Sequence, residues 1–539
     1  MESFLKGDQQ LKWWMIGVSI MATQASAVTF LSTPGQAIED GMRFIQFYFG
    51  LPLAMVIISV TMLPIYYKLK VYTAYEYLET RFDLKTRTLA AILFLILRGL
   101  SAGITLFAPS LVLSTILEWN IFFTTMLIGV LVIIYTVSGG SKAVSITQRY
   151  QMTVILGGMA LAGIMAFTLL PADVSFLDSV RVAGELGKLN IVTTDFKLSD
   201  RFNIWSGLLA STFLFLSYFG TDQSQVARYL GGKSLTESRM GLIFNGLLKI
   251  PMQFLILFIG VLVFVFYLFN QPPVFHNQVL VEQARQTQVG ARIDSMQFDF
   301  KRAFAEKKIA VLKLVQGIHE NNREDIEKAK KSYNVFRQKE DSIKMLTKKS
   351  IADGMKISIK KVKDTDYIFL NFVLKYLPHG VVGLLLAVIF SAAMSSMASE
   401  LSALASTTTI DVYKRILKAD SVSSNYLVSS KWFTILWALL AMGFAMLASF
   451  AENLIQFVNI VGSLFYGTIL GIFLVAFYIK RVKSNAVFWA ALLAESVVLG
   501  CYFYFYQEIA FLYYNIIGCG VVVLVSVLFQ ALTREEKYI

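Results

Sequence analysis

The chain has 539 residues, of which 56% are hydrophobic and only 16% are charged. Soluble domains carry about 25% charged residues, so the composition excludes an ordinary soluble protein and predicts an integral membrane protein. The net charge of +13 falls largely in segments between apolar stretches, which is the distribution that membrane topology produces and which does not indicate a nucleic-acid partner. With two cysteines and three histidines, neither a disulfide framework nor a zinc site is expected.

Twelve apolar stretches are long enough to cross a bilayer. In chain order they lie near 13–33, 44–67, 88–116, 120–138, 144–170, 203–221, 240–270, 378–410, 430–450, 455–479, 485–506 and 509–532. Alternate connecting segments are rich in Lys and Arg, whereas the short loops 117–119, 451–454 and 507–508 contain neither. The positive-inside rule then predicts that 1–12 and 533–539 are cytoplasmic. We expect a multi-pass protein of the plasma (inner) membrane, surrounded by lipid.

The first span, WWMIGVSIMATQASAVTFLSTPGQA, is interrupted by polar residues in its middle. Thr23, Gln24, Ser26 and Thr29 lie among small neighbours there. Such a cluster predicts a broken helix whose freed backbone groups face a cavity. The alternative is a helix that is only kinked and serves packing.

A pair of glycines, Gly139 and Gly140, separates the fourth and fifth stretches. Because glycine adopts backbone angles that other residues avoid, the pair predicts a tight cytoplasmic turn between two spans.

Residues 276–366 differ from the rest because they are polar and basic. Ser295–Val315 and Arg323–Leu346 have helical patterns, so we expect two or more helices forming a hairpin. Long translocated segments escape the positive-inside rule, so this insertion is expected on the extracytoplasmic side. It could act as a lid, as a dock for a protein partner, or as a decoration without a role in the chemistry.

The stretch 381–411 carries a series of hydroxyl groups on an apolar helix: Ser391, Ser395, Ser396, Ser399, Ser402 and Ser406. Ala392, Ser395 and Ser396 share one helix face, and lie about 22 Å from the start of the span at the usual helical rise. Hydroxyl oxygens at mid-membrane can replace the water around a hard monovalent cation. Alternatively, the hydroxyls bond to their own helix carbonyls, or the small residues allow helices to pack closely.

Three motifs resemble those of the sodium:solute symporter family. AAMSSMASELSALAST resembles its eighth core helix, where the pattern is A-x-x-S-S, and YTVSGGSKAVSITQRYQ resembles Y-T-x-x-G-G-x-x-A-V-x-x-T-D-x-x-Q. FLKGDQQLKWW resembles F-L-G-G-R-x-x-x-W-W, although the transmembrane helix that precedes this element in the family is not seen here. The resemblance covers nearly all of the chain except 276–366.

The resemblance implies an all-α, LeuT-like fold with two inverted five-helix repeats. These repeats fall on 13–170 and 203–479, the second interrupted by the insertion, and are followed by two peripheral transmembrane helices within 485–532.

It also implies that Na⁺ is bound by backbone and side-chain oxygens of five residues: Ala22, Ala25, Ala392, Ser395 and Ser396. Gln148 stands where the family usually has Asp, and Ala398 where members that bind a second sodium have Ser. Both differences remove ligand oxygen or negative charge, so we expect one sodium per cycle.

Two cations inside predicted spans, Arg98 and Lys249, are candidates for substrate binding because buried ionisable groups in membranes are usually functional. The resemblance aligns Lys249 with a Lys that contacts the sugar in a bacterial member. Each could instead form a structural ion pair or extend to the interface. The other expected substrate contacts are Gln24, Ser26, Thr29, Phe44, Phe47, Tyr218, Gln456 and Asn459.

The motif S-A-V-T-F-L-S-T-P-G has Val28-Thr29 where a sugar-transporting member has Glu-Gln, which weakens a hexose substrate. It is more similar to the monocarboxylate, multivitamin and sialate branches. We therefore expect a sodium-coupled symporter for a small organic anion. A sugar or polyol symporter, a proton-coupled transporter using Glu400, and a membrane sensor whose insertion binds a ligand remain alternatives. Neither a nucleophile–base pair nor a metal cluster suggests an enzyme.

Overall fold

The computed structural model describes residues 11–24, 26–69, 73–359, 362–417, 423–448 and 453–535. Side chains are described in these ranges except at 138–151, 388, 416–417, 423–425, 427 and 534–535. Apart from an isolated bridge between Leu11 and Gly232, the regular structure in the described part is helical.

The first part of the chain folds into eight α-helices: α1 (Trp13–Gln24), α2 (Ala27–Asp40), α3 (Gly50–Ile57), α4 (Leu63–Leu69), α5 (Glu76–Arg81), α6 (Leu84–Leu117), α7 (Ile121–Thr168) and α8 (Phe176–Glu185). A 3₁₀ helix, Gly41–Tyr48, joins α2 to α3, and a π-helical turn, Ile58–Met62, joins α3 to α4.

The second part contains twelve: α9 (Ser211–Gly220), α10 (Gln223–Leu230), α11 (Leu235–Phe269), α12 (Gln278–Arg285), α13 (Gly290–His319), α14 (Arg323–Met355), α15 (Thr365–Tyr376), α16 (His379–Thr407), α17 (Ser423–Ala448), α18 (Leu454–Tyr478), α19 (Ser484–Phe505) and α20 (Tyr513–Glu535). π-Helical turns precede α9 at Ser206–Ala210 and follow α16 at Thr408–Leu417.

Each of the twelve predicted spans coincides with helix. Eight helical segments of the described chain are long and apolar enough to cross a membrane. Three shorter apolar helices, 121–137, 152–168 and 206–220, match three further predicted spans. The first predicted span is divided between α1 and α2. The protein is therefore a multi-pass membrane protein.

The predicted break in the first span is confirmed. α1 ends at Gln24 and α2 begins at Ala27, and Ser26 between them has extended backbone angles, φ −80° and ψ 175°. A second break separates α9 from α10, where Asp222 is extended and accepts a hydrogen bond from the Ser224 amide at 2.9 Å. Broken helices in corresponding positions of two halves are typical of transporters built from inverted repeats.

Gly139 and Gly140 have helical backbone and lie within α7, so no separate loop joins the two predicted spans. A straight helix of 48 residues would be about 72 Å long, more than twice the thickness of the hydrocarbon core of a bilayer. Both ends of α7 nevertheless lie on the face of the bundle where α6 and α11 end, since the Leu169 carbonyl accepts from Asn270 at 3.4 Å. The two apolar halves of α7 thus act as separate spans.

α11 lies alongside both parts of the broken first helix. Two glycines allow this close approach: a Cβ added at Gly241 would lie 2.7 Å from the Cβ of Ile16, and one at Gly260 would lie 2.5 Å from the carbonyl oxygen of Pro34. The two contacts fix the register between α11 and α1–α2. The break at Gln24–Ala27 consequently lies level with the middle of α11.

The predicted helical hairpin in 276–366 is confirmed as α13 and α14, which pack along their length. A buried ion pair between Lys307 and Glu340 joins them. The hairpin contacts α8 through His319, whose ring lies 3.0 Å from Asp178, and through Arg323, whose guanidinium lies 3.1 Å from Glu185. We call the side of the bundle that carries the hairpin the insertion face and the other side the opposite face.

Candidate functional site

Two adjacent hydroxyls in the middle of α16 have no hydrogen-bond partner among the described residues. Ser395 and Ser396 are 2% and 3% exposed, and both Oγ atoms are buried and unpaired. Two other serines of this helix behave differently: Ser399 donates to the Ser395 carbonyl at 2.9 Å and Ser406 donates to the Ala403 carbonyl at 3.0 Å. The alternative in which Ser395 and Ser396 bond back to their own helix therefore does not describe this structure.

Arg228 of α10 connects the first helix to α16 directly beside these hydroxyls. Its guanidinium donates to the Ser19 hydroxyl at 3.3 Å and also to the Ser399 hydroxyl. On α1, Ser19 precedes Ala22 by about one turn, and on α16, Ser399 follows Ser395 by one turn. α1 and α16 run in opposite directions. Ala22 and Ser395 consequently lie on the same side of the Arg228 bridge, one turn further towards the insertion face.

Of the other predicted sodium ligands, two lie in the described part of the chain. Ala22 and Ala392 are buried in the core, while Ala25 lies outside the described residues. α1 ends at Gln24, so the carbonyls of its last turn lack the amide partners that a continuing helix would supply. These backbone oxygens and the two free hydroxyls are the type of donor set that suits a monovalent cation.

The start of α2 is a helix N-terminus without a side-chain cap. Ser26 occupies the N-cap position but forms no capping bond. Thr29 instead donates to the Gln24 carbonyl at 2.7 Å, and the Gln24 amide nitrogen is buried without a partner. Unsatisfied backbone amides and the helix dipole make such an N-terminus suitable for an anion.

Lys249 lies level with this break and is 1% exposed. Among the described residues it forms no ion pair, and its ammonium lies 5.7 Å from the ring centre of Tyr48. A buried ammonium without a carboxylate partner is unfavourable unless an anion joins it. Lys249 is thus a buried cation at the level of the break, where a bound anion would be stabilised.

Arg98, the other predicted substrate cation, is held in a buried ion-pair cluster instead. Its guanidinium pairs with Asp222 and lies 3.2 Å from Glu400, and it donates to the Tyr466 hydroxyl at 2.9 Å. Tyr466 in turn donates to Asp222 at 3.1 Å. The cluster joins α6, α16 and α18 to Asp222, the N-cap residue of α10, and such ion pairing is the alternative to substrate binding considered above for Arg98.

Phe44 and Phe47 belong to an aromatic cluster near the insertion face. Their rings are stacked at 5.6 Å, and Phe202 and Phe215 pack edge-on against them at 5.1 and 5.2 Å. Both are buried. In this conformation they are packing residues around the 3₁₀ helix.

The remaining predicted contacts lie towards the two faces of the bundle. The Tyr218 hydroxyl accepts from Gln225 at 2.9 Å, and its ring lies 5.5 Å from the Arg98 guanidinium. Gln456 accepts from Arg201 at 2.7 Å and donates to Gln36 at 2.6 Å. The Asn459 amide donates to its own helix, at the Ile455 carbonyl, at 2.9 Å.

Hydrogen bonds therefore bridge the bundle on both sides of the break. Gln456 to Gln36 links α18 to α2 on the insertion face, and Asn453 adds a bond of 3.4 Å to the Ser32 carbonyl. The Arg228 bridge and the Arg98 cluster link the helices on the opposite face. The helices around the break are thus joined on both faces of the bundle.

Sequence reasoning missed three residues here. Arg228 and Asp222 follow the sixth predicted span and no motif singles them out, although they pair with residues of neighbouring helices. Gln253, one turn beyond Lys249 on α11, was overlooked as an ordinary polar residue in an apolar run. The available signal for Gln253 is its spacing of four residues from Lys249, which places the two side chains on one helix face.

The family model for the sodium:solute symporter family matches residues 4–290 and 342–494, which is most of the chain. The gap between the two matched segments falls within the hairpin insertion. Among curated proteins, the chain is 31% identical to human sodium-coupled monocarboxylate transporter 1 over 244 residues, 45% of this chain and 40% of that protein. It is 28% identical to the human sodium/iodide cotransporter over 272 residues, 49% of this chain and 41% of that protein. The aligned part thus spans about two fifths of the length of these relatives.

The fold is similar to that of a Na⁺-coupled sialic acid symporter solved in a substrate-bound, outward-open state. The TM-score is 0.72 over 98% of this chain and 92% of that chain, at 21% sequence identity. The predicted LeuT-like helical bundle is confirmed by this likeness.

Proposed function

Because the chain belongs to the sodium:solute symporter family, we propose that it couples the entry of Na⁺ to the import of a small organic anion. Members of the family are transporters, and similar proteins are named as sodium-coupled carriers of monocarboxylates and iodide. Import proceeds by alternating access, with the repeats 13–170 and 203–479 moving against one another around a site at mid-membrane.

In this proposal, Na⁺ lies between the first helix and α16. Its ligands are the Ser395 and Ser396 hydroxyls and backbone oxygens of Ala22, Ala25 and Ala392. One observation carries the proposal: the two serine hydroxyls are buried, unpaired and level with the end of α1. A buried hydroxyl without a partner is unfavourable by about 1–3 kcal/mol, and a bound cation removes that penalty.

The transported solute is an organic anion that binds near Lys249 and the N-terminus of α2. Support comes from the buried ammonium of Lys249, which has no ion pair in the described structure, and from the uncapped start of α2. Gln24, Ser26 and Thr29 border the same break. Monocarboxylate-, sialate- and vitamin-like solutes all carry the single carboxylate that this region would bind.

Sodium binding is coupled to solute binding through the break itself. In this arrangement both ligands contact the ends of α1 and α2, and whatever factor Na⁺ adds to solute binding, the solute must add to Na⁺ binding. The membrane potential contributes about 2.3 kcal/mol per charge per 100 mV. A single sodium per cycle is supported by Ala398 and Gln148, which provide no hydroxyl or carboxylate at the positions of a second site.

We further propose that both termini are cytoplasmic and that the opposite face is the cytoplasmic one. The hairpin α13–α14 then lies outside, where its surface is available to a protein partner. The Arg228 bridge and the Arg98 cluster close the cytoplasmic path, and they must separate before Na⁺ and solute can leave.

Uptake into proteoliposomes containing the purified full-length protein tests this function. A panel of labelled carboxylates, sialate and sugars is offered with an inward Na⁺ gradient and, as the control, with choline replacing Na⁺. We expect at least one organic anion to accumulate only with Na⁺. Equal uptake in choline, or accumulation of neutral sugars alone, would contradict the proposal.

A further inference from the structure

The face of α11 that carries Lys249 has a second polar group, at the level of the break. Gln253 follows Lys249 by four residues, so the two side chains leave the same face of the helix. Gln253 is 0% exposed, and both its amide oxygen and its amide nitrogen lack a hydrogen-bond partner among the described residues. A primary amide left wholly unpaired inside a protein is rare, because each unpaired group carries a desolvation penalty.

The position of Gln253 is fixed by the packing of α11 on the first helix. Gly241 contacts Ile16 and Gly260 contacts Pro34, so residues between these glycines lie beside the residues between Ile16 and Pro34. Lys249 and Gln253 fall beside Gln24 and Ala27, the two ends of the break.

A small cavity confirms this register independently. Met252 and Ile256, which flank Gln253 on α11, line one cavity together with Ser26 and Thr29. Gln253 is therefore at the level of the proposed solute site, one helical turn closer to the insertion face than Lys249.

A buried glutamine elsewhere in the chain shows how this differs from a structural role. Gln46 is also 0% exposed, but its amide nitrogen donates to the Phe202 carbonyl at 2.8 Å and its oxygen accepts from the Thr193 amide at 3.1 Å. Gln46 thus ties one segment to another. Gln253 has the same side chain and the same burial but bonds no other segment in the described part of the chain.

We infer that Gln253 is a specificity-determining contact for the solute, and that the preferred solute is a carboxylate with a hydroxyl or carbonyl oxygen close to the carboxyl group. The inference rests on the proposed function. Lys249 takes the carboxylate, which any organic anion provides. Gln253, one turn away, donates to or accepts from the second oxygen and so selects among anions.

The chemistry of the pair supports this division. An ammonium is a compact point charge, so it attracts an anionic group but does not distinguish one carboxylate from another. A primary amide offers two donors and one acceptor, so it can pair with a hydroxyl or with a carbonyl. A buried group built to hydrogen-bond a substrate rejects an analogue that lacks the matching group, because the protein group is then left unpaired.

The test compares acids that differ only in the second oxygen. Sodium-driven uptake into proteoliposomes is measured for propanoate against 2-hydroxypropanoate and 2-oxopropanoate, and for butanoate against 3-hydroxybutanoate. In the wild type we expect the oxygenated acid to be preferred at least tenfold in kcat/KM within one of these sets. Gln253→Leu keeps a side chain of similar size. In this variant the kcat/KM values for the oxygenated and unsubstituted acids should differ by no more than about twofold, while the unsubstituted acid is still taken up.

Two further variants keep the result interpretable. Gln253→Met provides a second apolar side chain of similar volume if Gln253→Leu folds poorly. Leu257→Met alters packing one turn further along the same face and should leave the preference unchanged. An unchanged preference in both Gln253 variants, or no preference in the wild type, would overturn the inference while the proposed function stands. Absence of any sodium-driven anion uptake by the wild type would instead reject the proposed function and this inference with it.

Discussion

The guanidinium of Arg228 lies 3.3 Å from the hydroxyl of Ser19 and also bonds the hydroxyl of Ser399. One side chain therefore holds together the two helices that border the proposed sodium site. Arg228 lies on α10, the short helix after the second break, so movement of α10 would release both helices at once. This arrangement suggests that the bridge keeps the path to the opposite face closed.

Removing the bridge should open that face. In Arg228→Gln, we expect a cysteine introduced at buried Ala403, one turn beyond Ser399, to react with a membrane-impermeant thiol reagent from the cytoplasmic side at least several-fold faster. The background would carry Cys501→Ser and Cys519→Ser, which replace the two native cysteines. Arg239→Gln is the control, because Arg239 bonds only the Ser59 carbonyl among the described contacts. Equal labelling rates in the two variants would contradict a gating role for Arg228.

The two buried cations should respond in opposite ways to loss of charge. Arg98→Met leaves Asp222 and Glu400 unpaired in the core, so we expect it to lower stability by about 3–5 kcal/mol, seen as a large fall in Tm. Lys249→Met removes an ammonium that has no ion pair in the described structure. It should leave Tm equal or higher and abolish uptake of organic anions. A large fall in Tm for Lys249→Met would show that Lys249 has a structural role.

Glu400 provides the test between sodium and proton coupling. It is the titratable group nearest to Ser395 and Ser396 along α16, but its carboxylate lies 3.2 Å from the Arg98 guanidinium. We therefore expect Glu400→Gln to leave the pH dependence and the Na⁺ dependence of uptake unchanged, although its Tm should fall. Loss of a pH-dependent component in this variant would favour proton coupling.

The base of the hairpin should make the protein sensitive to acid. Burial lowers the pKa of His276 to about 3, against about 6.5 in an unfolded chain. Between these values the unfolded state binds the additional proton, so stability falls as the pH decreases below about 6.5. Neighbouring Asp364 acts in the opposite direction, because burial raises its pKa to about 6.

Comparing variants separates the two groups. His276→Gln should lose less Tm than the wild type when the pH is lowered from 7.5 to 5.5, since only the histidine contribution is removed. His379→Gln, at an exposed histidine, should behave like the wild type. Identical pH dependence of Tm in the wild type and His276→Gln would refute the assignment.

Local chemistry was the part of this protein that the sequence could predict. Apolar length and charge bias located the spans, and polar residues inside an apolar run predicted the break after Gln24. The adjacent hydroxyls of Ser395 and Ser396 are buried, as expected. These features depend on residues within a few turns of one another.

Long-range pairing was the part that it could not predict. Arg98 lies 124 positions from Asp222 and 302 positions from Glu400 along the chain. Its ion pairs with these two residues therefore cannot be predicted from the sequence. Gln456 is held by Arg201 and Gln36 for the same reason.

Na⁺ is proposed to bind between the end of α1 and the two hydroxyls of α16. Binding of radioactive Na⁺ to the purified protein tests it most directly, with the Ser395→Ala/Ser396→Ala double variant compared against Ser406→Ala, whose hydroxyl bonds its own helix. We predict saturable binding that excess Na⁺ displaces and K⁺ does not, unchanged in Ser406→Ala and weakened at least tenfold in the double variant, as expected for the loss of two ligands. Sodium binding of equal affinity in the wild type and the double variant would show that the two hydroxyls are not sodium ligands.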